Sequence, residues 1–211
     1  MARSIFLAII GDVVASRGVQ DRKELQARLR SAIALVNQRF ASEIASHFVL
    51  TIGDEFQGLL HSAKEVDRIL AVFRSIVHPV ELRMGLGIGR LDTALEPIAL
   101  GMDGPCFHRA RAAIEQAKRR ATPVEAVAEA EDPCFGIYSL LFAGLRRGWT
   151  ERQQQVVDLA MGGKAGKSIA AELGITPSAV SQHLRAAEAE SVFEATCLWL
   201  NAIQKAFNSE G

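Results

Sequence analysis

The sequence predicts an α+β fold in two parts, a ferredoxin-like domain followed by an all-α domain. Apolar runs of strand length alternate with amphipathic helical segments over residues 1–130, in the order β-α-β-β-α-β. After residue 131 the apolar residues recur only at helical spacing. The chain has 211 residues, of which 49% are hydrophobic and 23% charged, as in an ordinary globular protein. We therefore expect a connector helix at 131–148 and a helix-turn-helix domain at 149–211.

The strands and helices of residues 1–130 are predicted from their apolar runs and from the capping and turn residues at their ends. A continuous apolar run from Ser4 to Ile10 ends at Gly11–Asp12 and predicts a buried strand, followed by a loop at 11–18. Asp21 can cap a long helix that runs to Phe40. The remaining elements are expected as strands at 48–52 and 56–60 joined by the Gly53–Asp54 turn, a helix at 62–78 opened by a Ser62/Glu65 capping box, a strand at 81–89, a loop at 91–104 with a short strand at 98–100, a helix at 105–120, and a strand at 124–128.

Residues 168–187 have the pattern of a helix-turn-helix. Gly174 stands at the turn, where a residue without a Cβ turns most readily. Thr176 can cap the second helix, and Val180 and Leu184 form its inner stripe. Upstream, Thr150 and Gln153 have capping-box spacing. The unit resembles the helix-turn-helix of sigma-factor and response-regulator DNA-binding domains over about 149–187. An ordinary helical hairpin with a glycine turn is the alternative interpretation.

The outward side of this unit carries short polar, amide and basic groups that suit base edges and phosphates. Between residues 146 and 187 there are six basic and three acidic residues, which is a weak electrostatic footprint. For binding to double-stranded DNA a homodimer is then expected, and the last helix, at 188–207, packs either on its own domain or on a second subunit, with the subunit contact favoured. A protein-interaction module is the alternative. The residues predicted to contact DNA are Lys167, Thr176, Ser178, Ser181, Gln182 and Arg185.

Asp12 and Asp54 are the candidate metal ligands. Each follows a glycine at the end of a predicted buried strand, and the strand order brings the two ends together. Carboxylate oxygens are suitable ligands for Mg²⁺, which can also bind a nucleotide's phosphates. Gly11 and Gly53 would let the backbone approach a phosphate closely. Ordinary turn chemistry also explains a Gly-Asp pair.

Four segments, IIGDVVAS, TIGDEFQGLL, LRMGLGIG and GPCFHRARAA, resemble class III nucleotidyl cyclases over about residues 4–120. GDEF also resembles the diguanylate cyclase signature. The resemblance implies two metal ions, Mg²⁺ or Mn²⁺, on Asp12 and Asp54, with His108 and Arg111 near a bound nucleotide. Leu50 stands where these enzymes have a purine-selecting lysine. His108 replaces an asparagine, and Ala112 replaces the transition-state arginine, with Arg111 one step away.

The whole chain is similar to the SatD-like family, on its GDVVASR opening, its TIGDEFQGLL hairpin and its FHRARAAIEQAK helix. Three widely spaced cysteines predict a reduced, cytoplasmic setting, and the N-terminal apolar run is too short for a membrane span. The leading hypothesis is a DNA-binding transcriptional regulator whose cyclase-like domain senses a nucleotide or metal. The alternative is an enzyme, a nucleotidyl cyclase or another metal-dependent phosphoryl-transfer protein that uses Asp12 and Asp54.

Overall fold

A computed structural model describes residues 4–15, 21–51, 53–130 and 132–210. The predictions for residues 16–18, Ile52 and residue 131 lie outside this part of the chain. The elements are β1 (Ile5–Val13), α1 (Arg22–Arg39), β2 (Ile44–Leu50), β3 (Phe56–Leu60), α2 (Val66–Val77), β4 (Leu82–Arg90), α3 (Pro105–Arg120), β5 (Val124–Val127), α4 (Pro133–Gly148), α5 (Glu151–Met161), α6 (Gly166–Leu173), α7 (Pro177–Ala186) and α8 (Ala189–Ser209).

The predicted β-α-β-β-α-β order is confirmed, and the strands form a sheet in the order β2-β3-β1-β4-β5. Neighbours from β2 to β4 are antiparallel, and β5 is parallel to β4. The predicted short strand at 98–100 is a single bridge between Ile98 and His47. The predicted Ser62/Glu65 capping box is wrong: α2 begins at Val66, and its N-cap, Glu65, accepts no side-chain cap bond.

The two faces of the sheet are covered by different helices. Helices α1 and α2 pack on the face that carries Leu7 and Ile9, whereas α3 packs on the face that carries Ala8 and Ile10. Helix α3 lies very close to β4, because a Cβ at Gly87 would be 2.1 Å from the carbonyl oxygen of Cys106. Because α3 packs so closely on the sheet, its last turn lies beside the end of β1.

The C-terminal helices share the main core of the protein. Trp199 of α8 is only 1% exposed and stacks on Tyr138 of α4 with ring centroids 4.7 Å apart. Val157 and Met161 of α5 belong to the same cluster as the sheet residues. The apolar stripe of α8 therefore packs within its own chain, which is the alternative to the favoured subunit contact. The packing does not separate residues 149–211 from the rest, and the boundaries at 130 and 148 stay predictions.

A buried ion cluster joins three helices. Asp158 of α5 accepts hydrogen bonds from Arg74 of α2, at 2.9 Å, and from both terminal nitrogens of Arg146 of α4, at 3.1 and 2.8 Å. The carboxylate is 1% exposed, so the two guanidinium groups are its partners in place of water. Among the described residues, no helix is both long enough and apolar enough to cross a membrane.

Candidate functional site

Asp12 lies near the end of β1, on the α3 side of the sheet. It pairs across the strands with Arg83 of β4, and residues directly opposite each other project from the same face. Its Oδ2 is 3.3 Å from Nζ of Lys118, in the last turn of α3. Its Oδ1 is buried and has no hydrogen-bond partner among the described residues. Burial raises the pKa of Asp12, against the opposing effects of Lys118 and Arg83.

The turn between β2 and β3 brings two further carboxylates to this end of the sheet. Because Gly11 of β1 pairs with Phe56 of β3, the turn that carries Asp54 lies beside the end of β1, and the charge of Asp54 adds to the upward effect of burial on the pKa of Asp12. Glu55 accepts two hydrogen bonds from Arg111, at 2.5 and 2.9 Å. These bonds are the largest effect on Glu55, and the pKa of its carboxyl lies below its usual range despite burial. Glu55 therefore stays ionised and holds the Arg111 guanidinium in place.

One face of α3 supplies the positive charge of the site. Arg111, Glu115 and Lys118 recur at the spacing of one helical face, and Lys118 also bonds Glu115 at 2.9 Å. The bond to Glu115, and then the charge of Asp12, raise the pKa of Lys118. Carboxylates and two fixed cations thus meet at the end of β1, an arrangement able to hold a cation and a phosphate side by side.

The donor set at this site fits a hard divalent cation. Asp12 offers a buried oxygen that lacks a partner, and Asp54 supplies a second carboxylate. Within the described parts of the chain, no group of three or more His, Cys, Asp or Glu side chains could hold a metal ion. Mg²⁺ commonly takes only one or two protein carboxylates and completes its shell with water and substrate phosphates. Two carboxylates are therefore sufficient only if a phosphate ligand arrives with the ion.

The surroundings of the other residues that were predicted to bind a nucleotide differ from one residue to the next. At Gly11, a Cβ would lie 2.2 Å from the ring of Phe56, so packing accounts for this glycine. Gly53 has φ +71° and open space around it, as a turn glycine requires. His108 is exposed in the first turn of α3 and contacts Asp103 at 2.7 Å, rather than the carboxylates around Asp12. Ala112, at the arginine position of the cyclases, is exposed.

Sequence reasoning missed Glu55, Arg83 and Lys118. Most of the basic residues of α3 are paired with carboxylates. The spacing of Arg111 and Lys118, two helical turns apart, was the available signal. The pairs are Arg109 with Glu129 and Glu210, Arg111 with Glu55, Lys118 with Asp12, and Arg120 with Glu125.

The comparisons with known proteins place the chain in a family. A model described as the SatD family matches residues 6–195. The chain belongs to the SatD family. The match runs through the sheet and through helices α5 to α7 of this SatD-family chain. The search of curated proteins found no match.

Solved structures similar to this SatD-family chain include nucleotidyl cyclase domains. The catalytic core of a rhodopsin-guanylyl cyclase in complex with ATPαS is 15% identical, with 54% of this chain and 72% of that chain covered and a TM-score of 0.41. The dimeric guanylyl cyclase domain of the RhoGC fusion protein from the aquatic fungus Blastocladiella emersonii is 14% identical, with 54% and 74% covered and a TM-score of 0.41. A bacterial light-regulated adenylyl cyclase is 11% identical, with 58% and 75% covered and a TM-score of 0.41. Likeness at this level says nothing about the activity of this chain.

The expectation of a DNA-binding transcriptional regulator is wrong. The family model spans residues 6–195, so a single family covers the sheet and the helices that were assigned to a separate DNA-binding domain. In the helical region, Arg146 is buried beside Asp158 and Lys164 is bonded to Glu172, so neither side chain is free to contact a phosphate backbone.

The local geometry of α6 and α7 nevertheless matches its prediction. Gly174 has φ +63°, and Thr176 accepts the capping bond from the backbone N–H of Ala179 at 3.1 Å. Local helix geometry recurs in proteins of unrelated function, and function depends on the site that a fold carries. Double-stranded DNA is therefore withdrawn as a partner. The side chains that were predicted to contact it are all exposed: Lys167, Thr176, Ser178, Ser181, Gln182 and Arg185.

Proposed function

We propose that this SatD-family chain binds a nucleoside triphosphate with a divalent cation and carries out phosphoryl transfer of the nucleotidyl-cyclase type. The observation that carries the proposal is the buried Oδ1 of Asp12, which has no partner among the described residues, at the end of β1 beside the turn that carries Asp54. A polar atom removed from water without a partner is costly. A cation shared with a phosphate would supply the missing interaction.

Asp12 and Asp54 are the proposed ligands of Mg²⁺ or Mn²⁺. When bound, such an ion polarises phosphoryl oxygens and neutralises the charge that develops on them. Because burial raises the pKa of Asp12, its carboxylate gains more from a cation than an exposed carboxylate would. The raised pKa also means that the proton competes with the metal as pH falls.

Lys118 and Arg111 are the proposed phosphate contacts. Lys118 contacts Oδ2 of Asp12 at 3.3 Å, and its raised pKa keeps it protonated. A cation on Asp12 would repel the ammonium group, which is then free to turn towards the nucleotide's phosphates. Arg111 uses its two terminal nitrogens on Glu55, which fixes the direction of the guanidinium. Its positive charge therefore has a set position beside the phosphates.

Two positions limit the analogy with the cyclases that the sequence resembles. Leu50 offers no hydrogen bond to a purine, so we propose no selection between adenine and guanine at that position. Ala112 carries no charge, so the stabilising cation of the reaction is proposed to be Arg111 or Lys118. A homodimer stays a prediction.

The test is metal-dependent nucleotide binding, followed by product analysis. The melting temperature of the purified chain is measured with Mn²⁺ or Mg²⁺ and each nucleoside triphosphate, and products are separated by chromatography. We expect the nucleotide to stabilise the chain only when metal is present. We also expect Asp12→Asn and Asp54→Asn to weaken this binding about tenfold or more, since each removes a charged ligand.

Asp92→Asn is the matched control, because Asp92 is an exposed carboxylate paired with Arg90 outside the site. Its nucleotide affinity should equal that of the wild type. A cyclic nucleotide with pyrophosphate would identify a cyclase, and a diphosphate with phosphate would identify a hydrolase. Nucleotide binding that survives unchanged in both Asp12→Asn and Asp54→Asn would refute the proposed site.

A further inference from the structure

A second site lies at the junction between the sheet and the C-terminal helices. A cavity of about 130 Å³ opens where α2, the start of β4, α4 and α5 meet. Four arginines line it, Arg74, Arg83, Arg146 and Arg147, together with His78 and Glu81. We call it the four-arginine cavity. Arginine clusters of this kind suit oxyanions, because guanidinium groups form paired hydrogen bonds with phosphate and carboxylate oxygens.

The buried wall of this cavity carries an excess of positive charge. Among the described residues, Asp158 alone accepts hydrogen bonds from both Arg74 and Arg146, so these two guanidinium groups share its negative charge. The side chains of Arg74 and Arg146 are only 4% and 10% exposed. Burying charge that is not fully compensated is unfavourable. An anion in the cavity would compensate it.

Hydrogen-bond donors are available on the cavity side. Arg74 donates to Asp158 through Nε, and its two terminal nitrogens make no hydrogen bond to other described residues. Arg147, in the last turn of α4, is exposed and makes no hydrogen bond within the described part of the chain. Glu81 is the acidic residue of the lining, and it is outnumbered by the arginines.

We propose that the four-arginine cavity binds a phosphate-sized oxyanion, either inorganic phosphate or the phosphate of a small phosphomonoester. A dianion matches the charge excess better than a monoanion does. The volume admits a phosphate group. This site uses residues other than Asp12, Asp54 and Lys118, and it does not depend on the function proposed above. Arg83 faces both sites, since it pairs across the strands with Asp12.

The experiment is a calorimetric titration of the full chain with inorganic phosphate at constant ionic strength held with chloride, and a second titration with methyl phosphate. Arg147→Gln and Arg83→Gln each remove one donor and keep the Asp158 cluster intact. We expect saturable binding of one phosphate per chain, weakened about tenfold or more in each variant. Binding of methyl phosphate as well would assign the phosphomonoester as a source, whereas binding of phosphate alone would assign the free anion.

Two further variants test whether the binding belongs to this cavity. Arg152→Gln removes an α5 arginine that does not line the cavity, and Lys118→Gln removes the cation beside Asp12. Both should bind phosphate within about twofold of the wild type, because neither side chain lines the cavity. The proposal is overturned if phosphate does not bind saturably, if Arg152→Gln weakens binding as much as Arg147→Gln does, or if only Lys118→Gln abolishes it. Circular dichroism melts confirm that each variant is folded.

Discussion

Replacing Asp158 by asparagine tests the ion cluster that joins α2, α4 and α5. The substitution keeps the shape of the side chain and removes its charge, which leaves Arg74 and Arg146 buried without a carboxylate. Breaking a buried ion pair from one side typically costs about 3–5 kcal/mol. That is a large share of the roughly 5–15 kcal/mol that stabilises a folded domain.

The measurement is urea and thermal unfolding followed by circular dichroism. At roughly 2–4 °C per kcal/mol for a chain of this size, the melting temperature of Asp158→Asn should fall by about 6–20 °C. The control is Asp92→Asn, which breaks an exposed 3.1 Å pair with Arg90 and should cost about 0–1 kcal/mol. The reasoning fails if Asp158→Asn costs no more than Asp92→Asn.

The pH dependence of stability gives a second readout for Asp158. Burial raises the pKa of this carboxyl, but the charges of Arg146 and Arg74 outweigh burial and hold the pKa below its usual value of 3.8. The folded state therefore binds this proton less readily than the unfolded chain does. The contribution of Asp158 is present above the unfolded pKa and is lost as pH falls through the folded pKa. This acid-induced loss should be smaller in Asp158→Asn.

Three further substitutions or reactions test packing, electrostatics and burial. Gly87→Ala should lower the free energy of unfolding, measured in urea, by about 1–3 kcal/mol, because the added Cβ would meet the backbone of α3. The control Gly166→Ala adds a Cβ in open space and should change the free energy of unfolding by less than about 0.5 kcal/mol. Because burial raises the pKa of Asp12, the contribution of Asp12 to stability should fall as pH rises from 3.8 through its folded pKa. Asp12→Asn should therefore melt at an equal or higher temperature than the wild type at neutral pH, and a clearly lower melting temperature would contradict this. Burial raises the pKa of the Cys106 thiol to about 12, so a thiol reagent at about pH 8 should modify the exposed Cys197 first, and the reverse order would contradict the packing.

The candidate site was only half predictable from the sequence. Asp12 and Asp54 could be proposed because each follows a glycine at the end of an apolar run, and the strand order sets those ends side by side. Lys118 could not be assigned to Asp12, because the two residues are far apart in sequence and only the close packing of α3 on β4 brings them together. A charge pattern on a helix does not tell which carboxylate each cation meets.

Local structure was determined by the sequence itself. The capping box of Thr150 and Gln153 and the left-handed turn at Gly174 are both present as predicted, because their hydrogen bonds and backbone angles depend on residues a few positions apart. Tertiary structure alone decided that the C-terminal helices share the core of the sheet, and that Arg74 and Arg146 meet over Asp158. Burial and the removal of water depend on chain segments distant in sequence, and no local pattern records which segments these are.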